Sequence, residues 1–82
     1  MKNRTDILEA LKEVIAGETG LPVSEIADDA SFYSLGLDSI SCVYVLDVLE
    51  KRLKLDMDPT VFWDHPTVSL LAGHLTALSI RT

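Results

Sequence analysis

Three stretches of this chain repeat apolar side chains at helical spacing, and none alternates them over a useful length as a strand would. From Thr5 to Glu18, the residues Ile7, Leu8, Leu11, Val14 and Ile15 recur three and four positions apart, which puts them on one face of a helix. Cys42, Val45, Leu46, Leu49 and Leu53 do the same between Ser39 and Leu53, as do Val68, Leu71, Ala72, Leu75 and Leu78 in a last helix starting at Thr67. Between the second and third stretches, Asp58-Pro59 reads as a cap followed by proline at a first helical position, opening a short helix or turn through Val61, Phe62 and Trp63. The predicted fold is all-α: a small four-helix bundle with three long helices and one short one.

The helix ends carry their own signals. Asn3 or Asp6 can cap the first helix, Asp6 and Glu9 having capping-box spacing. Gly17 or Gly20 can end it, and Pro22 forbids a simple continuation. Asp38 is placed to cap the second helix, while Lys51, Arg52 and Lys54 lie where cations complement its dipole. The long first loop, Leu21 to Asp38, is rich in turn formers, yet it also holds Leu21, Val23, Ile26, Phe32, Leu35 and Leu37. So many apolar side chains predict a loop pinned to the core, and long ordered loops are often functional.

Size and charge narrow the function. A chain of 82 residues fits a single domain spanning 1–82, and 48% hydrophobic residues supply a modest core. The formal net charge of −6 repels phosphate backbones and argues against nucleic acid as a partner. No apolar run is long enough to span a bilayer, and the polar start, Met1 to Asp6, is unlike a signal peptide. One cysteine excludes an internal disulfide and suits a reducing, cytoplasmic setting. A monomer is expected.

The chemistry is carried by Leu35-Gly36-Leu37-Asp38-Ser39-Ile40. This run resembles the attachment motif of acyl carrier proteins, and the likeness extends over nearly the whole chain. The stretch from Pro59 to Val68, followed by Leu70-Leu71-Ala72-Gly73-His74-Leu75, is similar to the end of carrier domains from polyketide synthases. The resemblance implies a bundle of the acyl-carrier type. It also implies a phosphopantetheine arm, transferred from coenzyme A to the Ser39 hydroxyl by a separate magnesium-dependent phosphopantetheinyl transferase. The arm's thiol would hold acyl groups as thioesters and present them to an acyltransferase, ketosynthase or adenylating enzyme, so the chain itself is expected not to be an enzyme.

The placement is physically sound. A hydroxyl at a helix start is reachable, and a phosphodiester there meets free N–H groups and the positive end of the dipole. Gly36 permits a sharp turn, and Leu35 and Leu37 can anchor the loop. Asp38 is a cap and, by the family pattern, also a transferase contact. Ile40, Tyr44 and Val48 form an i, i+4 stripe apart from the core face. The stripe is expected to dock partner enzymes, unless the helix is simply buried over a wider arc.

Plainer readings attach to the other candidates. Ser39 outside its motif would be an ordinary N-cap serine. Cys42 reads as a small buried side chain, His65 as a turn residue before proline and His74 as a helix-surface residue. Phe32, Phe62 and Trp63 read as core or rim packing, with contact to the arm or its cargo as the lesser reading.

A serine hydrolase is disfavoured, because the chain lacks a G-x-S-x-G elbow and its parallel sheet. A peptidyl carrier of nonribosomal synthesis usually has a second glycine where Leu37 stands, and a cofactor-free interaction bundle is the remaining alternative. Between Ile40 and Lys54 the only acids are Asp47 and Glu50. The resemblance ties fatty-acid-synthesis carriers to an acid-rich second helix, so a polyketide or hybrid secondary-metabolite pathway is the preferred setting. Met1 fits a discrete carrier, although a domain cut from a larger synthase can begin the same way.

Overall fold

The computed structural model describes residues 3–81. Its four helices are α1 (Arg4–Thr19), α2 (Ser39–Leu53), α3 (Val61–Asp64) and α4 (Val68–Arg81), with a single 3-10 turn at Val23–Glu25. The all-α expectation holds. Strand-like pairing among the described residues is confined to one bridge between Ser31 and Thr67.

The caps resolve the alternatives left by the sequence. Asn3, and not Asp6, starts α1: its Oδ1 accepts from the Asp6 N–H at 2.9 Å. Gly20, and not Gly17, ends it, because Gly20 adopts φ +79° and its N–H donates to the Ala16 carbonyl. That left-handed conformation is cheap only without a Cβ. Asp38 caps α2 as expected, accepting from the Ser41 N–H at 2.8 Å. At the far end Lys54 takes φ 57°, an uncommon position for a side chain with a Cβ. Helix α4 begins one residue later than expected, with the Thr67 hydroxyl accepting from the Leu70 N–H at 3.2 Å. Asp58 forms a turn ahead of α3 by accepting from the Thr60 N–H at 3.0 Å.

Helix α1 packs against both α2 and α4. Its buried face is Ile7, Ala10, Leu11 and Ile15, which meets Val45, Leu46, Leu49 and Leu53 of α2 and Val68, Leu71, Ala72 and Leu75 of α4 in one core. Leu8, Val14, Cys42 and Leu78 sit on the rim of these faces, half-buried. No described polar or charged residue is buried, so the core carries no unpaired polar group to offset its hydrophobic gain. Surface pairs fasten the helices. Arg52 of α2 reaches Glu13 of α1 at 2.7 Å, and the Arg4 guanidinium donates to the Ser69 hydroxyl of α4 at 2.6 Å.

The first loop is pinned at several points. Ile26, Phe32 and Leu37 are buried in the core, and Leu21 and Leu35 pack against it. Val23 departs from expectation: it lies on the 3-10 turn, 42% exposed, where the tight turn directs it away from the core. Lys12 of α1 pairs with Asp28. Backbone bonds then tie the loop to the start of α4: Phe32 N–H to the Pro66 carbonyl at 3.1 Å, Val68 N–H to Ala30 at 3.0 Å and Ser69 N–H to Asp28 at 2.7 Å. No helix among the described residues is long and apolar enough to cross a membrane.

Candidate functional site

The loop delivers its motif to the N-terminus of α2 through a tight turn. The Gly36 N–H donates to the Tyr33 carbonyl at 3.0 Å and the Leu37 N–H to the Phe32 carbonyl at 3.1 Å, with Gly36 at φ +86°. Buried Leu37 fixes the end of this turn. Asp38 follows as the cap, and Ser39 is the first helical residue, exposed to solvent. The hydrogen bond from the Ser41 N–H, with a lesser one from Ile40, holds the Asp38 carboxyl below its ordinary value. It is therefore a carboxylate at neutral pH.

Ser39 and Asp38 stand at the edge of a cleft of about 500 Å³. Phe32 and Phe62 line it and are nearly buried, their rings edge to face with centroids 5.1 Å apart. Cys42 and Val43 of α2 line the same cleft, as do Tyr33 and Trp63. The Cys42 thiol is half-buried, and burial, reinforced by the nearby Asp38 charge, raises its pKa. It stays a thiol at neutral pH and packs as a small side chain. Trp63 corrects the packing expectation: α3 is one turn long and commits only Val61 and Phe62 to the core, leaving Trp63 69% exposed.

Ile40, Tyr44 and Val48 lie 69%, 60% and 46% exposed along α2. The wider-arc alternative therefore does not hold, since the core face of this helix stops at Val45, Leu46, Leu49 and Leu53. Val43, also exposed, joins this surface to the cleft. Asp47 beside the stripe pairs with Lys51 at 3.1 Å. The sequence reading missed two features here. Val43 falls between the two faces of the helical wheel, and the contact of His65 with His74 joins residues too far apart for local spacing to reveal. Their rings stack with centroids 4.2 Å apart, so His74 is not simply a surface residue. Neither histidine lines the cleft, and no group of three or more potential metal ligands occurs among the described residues.

Fit to a phosphodiester can be judged from Ser39 itself. Its side chain is exposed and it opens a helix of 15 residues, at the positive end of the helix dipole, while Asp38 takes the Ser41 N–H. Such a position accepts an anion without burying it.

The arrangement of a short α3 beside a capped, serine-headed α2 defines a small helical carrier. A profile of the family described as phosphopantetheine attachment site matches residues 9–75, and the chain belongs to that family. Carriers of this family hold phosphopantetheine covalently. The fold is similar to a free-standing peptidyl carrier protein from a secondary metabolic pathway of Acinetobacter baumannii (TM-score 0.87, 34% identity, 94% of this chain and 96% of that one). It is also similar to the HMG-ACPI domain of the CurA module from Lyngbya majuscula (TM-score 0.85, 34% identity, 96% and 81%). In sequence it is 36% identical over 63 residues to the non-reducing polyketide synthase VdtA of Byssochlamys spectabilis. That match takes in 77% of this chain and 3% of the synthase, so the chain spans a small fraction of this curated relative's length.

Proposed function

We propose that the chain carries acyl intermediates of a polyketide or hybrid pathway on a phosphopantetheine arm attached at Ser39. The observation that carries this reading is the exposed Ser39 hydroxyl at the head of α2, directly after its carboxylate cap and beside an apolar cleft. In the loading step the Ser39 oxygen forms a bond to the phosphorus next to the pantetheine of coenzyme A. The hydroxyl proton is lost, and adenosine bisphosphate leaves. A separate phosphopantetheinyl transferase performs this step, as the family implies; His65 and His74 line no part of the Ser39 cleft, and the neighbouring Asp38 carboxylate is engaged in capping α2 through the Ser41 N–H. The arm, once in place, supplies the thiol that holds cargo as a thioester.

Partner enzymes, among them an acyltransferase, ketosynthase or adenylating enzyme, meet the carrier through Asp38 and the stripe Ile40, Tyr44 and Val48. The exposure of that stripe and the engagement of Asp47 by Lys51 support contact that is more apolar than ionic. The polyketide setting draws on the likeness to a synthase of that class. The peptidyl-carrier reading has the Acinetobacter structure in its favour, while Leu37 in the motif favours acyl cargo. A monomer in the cytoplasm fits a lone, half-buried cysteine.

Incubation with coenzyme A, magnesium and a broad-specificity transferase tests the reading by intact mass. One phosphopantetheine should be added to the wild-type chain and none to Ser39→Ala. Modification persisting in that variant would move the attachment elsewhere.

A further inference from the structure

Helix α2 ends on a strained residue that the fold does not need. Lys54 closes it at φ 57°, the left-handed position that glycine fills freely and a side chain with a Cβ does not. Lys54 is exposed and adds nothing to the core. A further cation is not required against the helix dipole either, because Lys51 and Arg52 already stand in the last turn. Every other cation whose side chain is described is engaged within the fold: Lys12 pairs with Asp28, Lys51 with Asp47 and Arg52 with Glu13, and Arg4 is bonded to Ser69. Among the described residues nothing pairs with the Lys54 ammonium. Strain that packing and pairing do not explain points to a role outside the fold.

We infer that Lys54 is the far pole of the docking face on α2, and that it receives a carboxylate of the partner enzyme that acylates the arm. The inference rests on the reading of Ile40, Tyr44 and Val48 as that face, and it adds what an apolar stripe lacks, a direction. A partner can lie along such a stripe either way round. The two ends of α2 differ, with the exposed Asp38 carboxylate at the head beside Ser39 and the Lys54 ammonium at the foot. Between them the charges of Asp47 and Lys51 offset each other. A partner with a cation near its active-site mouth and a carboxylate one helix length away gains at both poles. Reversed, it sets like against like twice. The 15 residues of α2 separate the poles by roughly 22 Å at a rise of 1.5 Å per residue. A patch of about 800 Å² per partner spans that distance, so one interface takes in both. A contact so far from Ser39 also limits the tilt of α2 on the partner, and with it the line along which the arm leaves. On a chain of net charge −6 a partner carboxylate is repelled over most of the surface, which makes Lys54 a selective anchor.

The protein is first converted to its phosphopantetheine form by a broad-specificity transferase, and intact mass checks one arm per chain in wild type and in each Lys54 variant. Acylation of these forms by the acyltransferase of the host's own polyketide pathway is then followed by mass. Lys54→Ala should lower kcat/KM about two- to fivefold through KM, the size of a solvent-exposed ion pair. Lys54→Glu should lower it further, and Lys54→Arg should retain the wild-type value. The gap between wild type and Lys54→Ala should narrow at high salt. Lys54→Gly separates docking from folding: it relieves the strain and should melt higher than wild type, yet acylate as slowly as Lys54→Ala. Equal kcat/KM for wild type, Lys54→Ala and Lys54→Glu, or a loss confined to kcat, would overturn the proposal. A loss confined to the transferase step would assign Lys54 to the modifying enzyme and overturn it too. Tyr44→Ala, run alongside, reports on the stripe separately. A missing mass increase would count against attachment at Ser39 instead. Lys54 is then decided by Ser39→Ala protein as an inhibitor of acyl transfer to free pantetheine: adding Lys54→Glu should weaken inhibition, and unchanged inhibition would refute the pole.

Discussion

Phe32 and Phe62 meet edge to face with ring centroids 5.1 Å apart, and this contact fastens the first loop to α3 directly beneath the cleft at Ser39. Phe62→Ala removes one side of it and leaves a void at a position only 6% exposed. A loss of about 3–5 kcal/mol is expected from cavity formation and lost burial. That is a large share of what a small domain possesses. Its neighbour supplies the control: Trp63→Ala should change stability by no more than about 0.5 kcal/mol. Urea denaturation of both variants checks the contrast, and equal losses would show that Trp63 is packed after all.

Ile40, Tyr44 and Val48 offer a surface whose removal should cost function and spare the fold. Tyr44→Ala and Val48→Ala should slow loading or processing by the cognate enzyme, while the melting temperature moves by only a few degrees. Raising the salt concentration should alter the wild-type rate modestly, because Asp47 already has Lys51 at 3.1 Å and apolar contact is insensitive to screening. Steep salt dependence with unaffected variants would place recognition on the acids instead.

Two backbone positions with positive φ predict opposite outcomes. At Gly36, φ is +86° and nothing lies within 4 Å of an added Cβ, so Gly36→Ala pays for conformation alone, about 1–2 kcal/mol. Lys54 already bears that strain at φ 57°. Lys54→Gly should stabilise by up to about 1 kcal/mol, reduced by the greater freedom of glycine in the unfolded chain. Thermal melts of the two variants should therefore shift in opposite directions.

Asp38 and Asp58 predict the acid limb of stability. Hydrogen bonds from the Ser41 N–H to Asp38 and from the Thr60 N–H to Asp58 lower both carboxyl pKa values in the folded protein. Groups with a depressed folded pKa contribute stability above their unfolded pKa, about 3.9 for aspartate, and lose it as pH falls through the folded value. Melting temperature should be flat from neutral pH to about pH 5 on this account and decline below about pH 4. The decline should be shallower in Asp38→Asn, whose amide oxygen can still cap but does not titrate. An unchanged slope in that variant would assign the acid sensitivity to other groups.

How much of this was legible beforehand follows from the range of each signal. Helix faces, the Asp38 cap and the motif around Ser39 are local, and spacing along the chain suffices to place them. The choice of Asn3 over Asp6 turned on which N–H lay within reach, which spacing alone does not decide. Of the core or rim positions expected for Trp63 the core one fails, because a single helical turn can bury only Val61 and Phe62 and leaves Trp63 at the edge of the cleft. The cleft was invisible for another reason. Its walls come from three segments, around Phe32, Cys42 and Phe62, and their meeting depends on loop-to-helix contacts over long sequence separations.

The backbone bonds that join Pro66, Val68 and Ser69 to the first loop also bear on how the protein can be divided. The described residues of α4 contribute nothing to the lining of the cleft, yet its entrance segment supplies the partners for Asp28, Ala30 and Phe32. A fragment ending before Pro66 would keep Ser39, its cap and the whole exposed stripe. It would nonetheless lose the strap that positions the loop leading to them, along with the α4 half of the core. Presentation of the serine is thus a property of the complete circuit of chain, and a minimal tag built from the motif and α2 alone would have to acquire its order from the enzyme that modifies it.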